Sequence, residues 1–310
     1  MSITDTNEGE AMRFSLVASR PIPAALLTHT RAVLAPFDPQ ERPVETDGLE
    51  AVTWTMTVPD DDALRSELNL ELRGPAMALA IDSAIITGPL AVDGPKLIVT
   101  DVDSTFITSE VIEMIAKRAG TEDEVREITT AAMRGELDFG ESLRERVATL
   151  AGVPDSVFDD VLADVRLTPG AARLVEVAHA NGAKFGLVSG GFSPVVGPLA
   201  EANGVDVFVA NGLQVTDGAL TGRTFGPVID REAKVVAVRE WAATYGTTPE
   251  MAVCVGDGAN DLGMLGISGL GVAFCAKPIV VEQADSAISF QRLDAVCALV
   301  GWDVTASQSS

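Results

Sequence analysis

This 310-residue chain has little of what most often marks nucleophile or metal chemistry: two histidines and three cysteines. Neither His29 nor His179 sits near a serine or cysteine that reads as a nucleophile, so a histidine-dependent triad or a zinc site is not expected. Cys254, Cys275 and Cys297 show no C-x-x-C spacing, and their odd number argues against a disulfide framework. Long apolar runs are missing too. The longest, residues 76–92, contains Asp82, Ser83 and Gly88-Pro89, which argues against a membrane span. The opening MSITDTNEGEAM has no signal-peptide pattern, so a soluble, cytoplasmic protein is expected. Positive charge is scarce: 22 Lys and Arg, only five of them lysines, face 45 Asp and Glu, for a net charge of -23. Such a surface repels nucleic acid and anionic membrane, so neither is expected as a partner. An anionic substrate must then be met by locally placed cations or metal.

Hydrophobic residues make up 47% and charged residues 22%, enough for a full globular core. The length suggests about two domains. Residues 1–90 read as a small α+β unit, with strands at 13–19, 44–46, 51–58 and 76–86 and helices at 23–37 and 63–73. Asp47-Gly48 marks a hairpin, and Asp60-Asp61-Asp62 caps the second helix. This β-α-β-β-α-β order resembles a ferredoxin-like split βαβ, as in ACT-type regulatory domains, which implies effector binding or a homodimer. Gly88-Pro89 to Gly94-Pro95 reads as a linker. Over 91–310 the pattern becomes α/β, with expected parallel strands at 97–101, 185–189, 207–210, 252–256 and 270–274. Four helices inserted after the first of these span roughly 107–170. A hairpin turning at Asp217-Gly218 is expected between Asn211 and Gly226. Past Asp303 the chain is expected to fray.

In an open parallel sheet, ligands bind beyond the carboxyl ends of the strands. Asp101, Asp103, Ser104 and Thr105 follow the first strand, Ser189-Gly190-Gly191 the second, and Gly256-Asp257-Gly258-Ala259-Asn260-Asp261 the fourth. Lys234 opens a separate helical run. Each has a plain alternative: a capping turn, a βα turn, a surface lysine. Together they fit phosphoryl transfer. Hard carboxylate oxygens suit Mg²⁺, and a carboxylate can attack phosphorus. A second acid can protonate the leaving oxygen and then activate water. Lys234 and Ser189 can hold the phosphoryl oxygens.

The order D-x-D-S-T, S-G-G, K, G-D-G-x-N-D resembles the haloacid dehalogenase-like hydrolase superfamily. Glu110, TTAAMRGELDFGESLRERV (129–147), LVSGGF (187–192) and GDGANDLGML (256–265) are similar to its phosphoserine phosphatase family. The resemblance covers about residues 96–298. It implies a Rossmann-like core with a parallel sheet and an inserted helical cap. The implied activity is Mg²⁺-dependent hydrolysis of O-phospho-L-serine through an aspartyl-phosphate, the last step of serine biosynthesis. Asp101 would be the nucleophile and Asp103 the general acid/base. Asp101, Asp257 and the Asp103 carbonyl would hold the metal, with Asp261 behind them. Ser189, Gly190, Lys234 and Asn260 would hold the phosphate. In the cap, Glu110 would meet the substrate amine and Arg146 its carboxylate, and Met133 and Phe139 would close the pocket. Val102 and Phe106 depart from the commonest wording but stay apolar. The alternative is a phosphatase or phosphotransferase of the same superfamily acting on another small phosphomonoester. A more distant rival is an amino-acid sensor with a vestigial catalytic half.

Overall fold

The structure is a computed structural model describing residues 9–304. The stretch up to Glu8 and the run from Thr305, expected above to fray, lie outside the described residues. The first part of the chain holds β1 (Glu10–Ala18), α1 (Ala24–Leu34), β2 (Gln40–Pro43), β3 (Glu50–Val58), α2 (Asp62–Ala78), β4 (Asp82–Thr87) and α3 (Gly88–Asp93). Then come β5 (Leu97–Thr100), α4 (Val111–Ala119), α5 (Glu122–Met133), α6 (Phe139–Ala148), α7 (Val157–Asp164) and α8 (Ala171–Ala180). They are followed by β6 (Lys184–Phe192), α9 (Ser193–Ala202), β7 (Val207–Thr216), β8 (Ala219–Phe225) and α10 (Arg231–Thr244). The chain ends with β9 (Ala252–Gly256), α11 (Leu262–Ile267), β10 (Leu270–Phe274), α12 (Pro278–Gln283), β11 (Ser286–Ile288) and α13 (Ala295–Leu299).

β1–β4 pair antiparallel in the order β2-β3-β1-β4, the arrangement of the ferredoxin-like unit read from the sequence. Met12, Phe14 and Leu16 alternate along β1 onto the face covered by α1 and α2. There the buried Trp54 stacks on Phe14 at 5.8 Å and donates its Nε1–H to Glu41 at 2.9 Å. Asp61 caps α2 by accepting from the backbone of Ala63 and Leu64.

Three expectations need correcting. The second strand lies at Gln40–Pro43, not 44–46. Its hairpin to β3 turns through a longer loop, and Val44 N bonds Ala51 O at 2.9 Å just beyond the strand. Helix α2 runs past Gly74-Pro75 to Ala78, where a strand was expected to have begun. Leu68, Leu72 and Ala76, spaced by four, are all buried on one face, and that packing outweighs the breaker residues. The stretch read as a linker is α3, with Pro89 in its first turn and Leu90 and Ala91 buried. The Ala91 carbonyl accepts from Arg13 Nη2 at 2.8 Å, tying α3 to β1.

β5–β11 form the second sheet, ordered β11-β10-β9-β5-β6-β7-β8 and parallel except for the β7–β8 hairpin. The hairpin turns at Asp217 and Gly218, both with positive φ, as a two-residue primed turn requires. Strand β11 has too short an apolar run to be legible in the sequence. All four β5 residues are buried, with Leu97 and Val99 facing the α10–α12 side and Ile98 the other. From β5 the chain winds outward through β6 and β7, then returns to place β9 on the opposite flank. The reversal of winding therefore falls between β5 and β9, where such sheets open a crevice.

Helices α4–α7 leave and rejoin the sheet through two adjacent segments. Thr108 N bonds Arg166 O at 3.0 Å, Thr168 N bonds Phe106 O at 2.9 Å, and Ile107 bridges Leu167. The two sheets meet at their edges, where Ser286 Oγ donates to Ser83 O at 2.8 Å. Among the described residues no helix is long and apolar enough to cross a membrane. Trp54→Ala should lower the stability of the N-terminal unit by about 3–5 kcal/mol, read from chemical denaturation followed by circular dichroism. A loss well below that range would mean that Trp54 does not anchor this core.

Candidate active site

The site begins where β5 ends. Asp101 N bonds Val255 O at 2.9 Å, extending the pairing with β9 and fixing the Asp101 carboxylate in the crevice. The chain then coils tightly: Asp103 is extended at φ -64°, ψ 130°, and Ser104 turns left-handed at φ 60°. A bond from Ile107 N to Val102 O closes the coil at 3.0 Å. Buried Val102, Phe106 and Ile107 anchor it. The coil brings Asp103 back to the centre that Asp101 faces, and its Oδ1 accepts from Val111 N at the start of α4 at 2.9 Å. Ser104 Oγ donates to Glu110 at 2.8 Å, so the same coil positions the first acid of the helical insert.

Lys234 is not a surface lysine. Asp230 caps α10 by accepting from Ala233 N, which places Lys234 in the first turn, fully buried. Its Nζ donates to Asp101 Oδ1 and to Asp261 Oδ1, both at 2.6 Å. Asp261 in turn accepts from Gly258 N at 2.9 Å. A side chain at residue 256 would place its Cβ 2.4 Å from the Asp261 carboxyl carbon, so glycine there is what admits the contact.

One ammonium does not balance this group of acids. Burial raises the Asp101 carboxyl well above its ordinary value; Lys234 opposes that, and Asp261, Asp257 and Asp103 add to it. Burial and then Glu110 push Asp103 up to about 7. Burial and then Asp261 push Asp257 up to about 6. Burial alone would lower Lys234, but Asp101 and Asp261 outweigh it and hold the ammonium charged. Oxygens of Asp101, Asp257 and Asp261 lie within 4.8 Å of one another. An all-carboxylate donor set with surplus negative charge and no soft ligand fits a hard divalent cation.

Above these acids is a cavity of about 390 Å³. Asp101, Asp103, Asp257, Asn260 and Gly190 line its floor and sides, and Glu110, Phe139 and Arg146 line its helical wall. Ser189, Lys234 and Asp261 lie beneath, fully buried. Ser189 Oγ accepts from Gly191 N at 2.8 Å and braces the turn from behind. A Cβ at Gly191 would sit 2.6 Å from Asp103 Oδ2, so this glycine lets the turn approach the acid. Burial lowers the Arg146 guanidinium, while Glu110 and Asp103 hold its charge. Met133 ends α5, and its side chain lies outside what is described.

Sequence reasoning missed three contributors. Lys277 lines the cavity as a second cation, directly after β10. The strand-end rule, applied to that strand as to the others, would have found it. Ser142 lines the wall one turn before Arg146 and accepts from its Nε through the backbone carbonyl at 3.3 Å. Asn211 bridges Gly190 O at 2.8 Å and Ile229 N at 2.9 Å, linking the β6 turn to the segment before α10. Nothing local in the sequence marks that role.

A family model for haloacid dehalogenase-like hydrolases matches residues 98–266. The chain is 48% identical over 251 residues to the phosphoserine phosphatase of Streptomyces coelicolor, across 81% of this chain and 60% of that protein. It is 50% identical over 221 residues to that of Mycobacterium tuberculosis, across 71% of this chain and 54% of that protein. The chain thus spans little more than half the length of these relatives. A haloacid dehalogenase family hydrolase from Salmonella enterica serovar Typhi superposes with a TM-score of 0.80 at 27% identity, covering 94% of this chain and 98% of that one. A phosphoserine phosphatase solved as a phospho-aspartyl intermediate analogue gives a TM-score of 0.62 at 40% identity, over 65% of this chain and 97% of that one.

The acid cluster makes a pH-dependent prediction. Asp257 keeps its proton to about 6 when folded, whereas a free aspartate loses it near 4. Without cation, this group therefore costs stability as pH rises through that window. A divalent cation takes the proton's place, so its stabilising effect should be small at low pH and grow as pH rises past the Asp257 value. Thermal melts with and without Mg²⁺ at several pH values would read this. A pH-independent increment, or one that survives Asp257→Asn, would place the cation elsewhere.

Proposed function

Because the chain belongs to the haloacid dehalogenase-like hydrolase family, we propose that it hydrolyses O-phospho-L-serine to L-serine and phosphate, the last step of serine biosynthesis, as a cytoplasmic enzyme. One observation carries this reading: a single cavity has phosphoryl-transfer groups at its floor and a paired acid and arginine, Glu110 and Arg146, in its wall. An ammonium suits the first of that pair and a carboxylate the second. Asp101 is the nucleophile, held oriented by Lys234, and it carries the phosphoryl group as an aspartyl-phosphate. Asp103, with its carboxyl raised to about 7, is protonated often enough to donate to the leaving serine oxygen. Once deprotonated, it takes the proton of the water that opens the intermediate. The Gly190 turn, Ser189 beneath it, Asn260 and Lys234 hold the phosphoryl oxygens. Asp101, Asp257 and the Asp103 carbonyl would hold Mg²⁺, with Asp261 behind, and the ion would supply charge neutralisation at the phosphoryl group. Phe139 closes the pocket.

The reading extends to organisation. Residues 1–90 form a regulatory or dimer-building unit, open to an amino-acid effector. Residues 91–310 form the phosphatase, with the cap at about 107–170.

Asp101→Asn should lower turnover by about a thousandfold or more. Wild-type activity in that variant would end the covalent reading. Phosphate release measured across phosphoserine, phosphothreonine and simple sugar phosphates should favour phosphoserine. Preference for a sugar phosphate would redirect the substrate assignment while sparing the core. Arg146→Met should raise the KM for phosphoserine about 10- to 100-fold. Hydrolysis of p-nitrophenyl phosphate, which has no carboxylate, should change far less. Equal losses on both substrates would remove Arg146 from substrate recognition.

A further inference from the structure

A second cavity, of about 460 Å³, lies where the two sheets meet. The end of α2 and the start of β4 form one side; the loop after β10, α12 and β11 form the other. We infer that this cavity is a binding site for a free amino acid with an aliphatic side chain.

Its charged groups are one cation, Arg73, and one acid, Asp82. Among the described residues, no acceptor meets the Arg73 guanidinium, and its Nε is buried without a hydrogen bond. Asp285, whose charge acts on Arg73, is engaged by Gly271 N at 2.8 Å. Asp82 accepts twice from Ser289, from N at 2.7 Å and Oγ at 3.0 Å, both through Oδ2. Its Oδ1 accepts nothing among the described residues. Burial pushes the Asp82 carboxyl up to about 6 and lowers the Arg73 guanidinium, so both charges are held at a cost. Buried polar groups are normally satisfied, and the open Arg73 Nε calls for an explanation. A zwitterion supplies it: a carboxylate takes the guanidinium fork, and an ammonium takes the free carboxylate oxygen. The remaining wall is aliphatic, with Met77, Ile81, Val281 and Ile288. A phosphorylated or sugar-like ligand would leave its hydroxyls or second charge unmet there.

The site shares a wall with catalysis. Cys275 lines this cavity, and its backbone is left-handed at φ 45°, a strained setting for a residue with a side chain. Two residues on, Lys277 lines the catalytic cavity, and its N–H points to the Asp257 carbonyl at 3.5 Å. An occupant pressing on Cys275 acts on a three-residue segment that ends among the acids of the active site. The two cavities are thus joined through one strained segment.

The test uses the full chain without substrate, so it stands apart from the substrate assignment. Calorimetric titration with L-leucine, L-valine and L-methionine should show one-to-one binding for at least one of them. Isovalerate and isoamylamine, which carry the carboxylate and the ammonium separately, should not bind at the same concentration. Arg73→Met and Asp82→Asn should each weaken binding by about tenfold or more, a loss of about 1.4 kcal/mol. Iodoacetamide labelling of Cys275 at alkaline pH, followed by mass spectrometry, should slow when the amino acid is present. The proposal is overturned if none of the three binds or protects Cys275 at millimolar concentration. It is also overturned if a half-ligand binds as well as the amino acid. The half-ligand and labelling comparisons use the wild-type protein, so they decide the matter even if a variant folds poorly.

Discussion

The buried Lys234 ammonium between Asp101 and Asp261, at 2.6 Å from each, is the contact on which the rest of the site depends. Neither acid can be placed at these strand ends without it, because two like charges at close range in a low-dielectric crevice would expel one another or take up protons. The lysine needs the acids equally, since a buried ammonium without partners is far too costly to keep. Three separate parts of the chain, the end of β5, the first turn of α10 and the loop after β9, are therefore held in register by one group of charges. The surplus negative charge is what leaves room for a cation.

How much of this was legible in the sequence depended on how local each signal was. The β5 and β9 strand ends were readable because an apolar run followed by acids and glycines is a contradiction within a few residues. The coil through Ser104 was readable only as a requirement: Asp101 and Asp103 diverge on a strand, so something had to bring them back. Its left-handed Ser104 and its Val102–Ile107 bond emerge only from the packing of Val102 and Phe106. Lys234 alone reads as a surface lysine, and only its place in the order of motifs assigns it to the phosphate; its burial comes from the tertiary fold. Asn211 acts across a long sequence distance and carries no local mark, whereas Lys277 was open to the strand-end rule. In the first sheet, Gly74-Pro75 signals a break that the buried face of α2 overrides. Gly88-Pro89 opens a helix there, because proline suits a first turn as well as a linker.

The strong negative charge of the chain also takes on a local meaning. An anionic ligand approaching a surface of net charge -23 gains nothing from the overall field. What attracts it is confined to the crevice, where Lys234, Lys277 and Arg146 are gathered within or beneath a single cavity wall. Selectivity and attraction therefore reside in the same few groups.

The helical insert leaves and returns through the paired segments around Ile107 and Leu167. Because its two ends are already hydrogen-bonded neighbours, the cost of closing that excursion is set at the base and grows only slowly with its length. The sheet below is indifferent to what the excursion contains. In evolutionary terms, the chain carries a socket and a replaceable head: Phe139, Ser142 and Arg146 can be exchanged as one contiguous cassette without disturbing the acids and lysine. Glu110 marks the limit of that freedom. Tied to Ser104 in the coil itself, it belongs to the socket, so any new head inherits an acid at the mouth and a bias toward cationic groups on whatever it comes to hold.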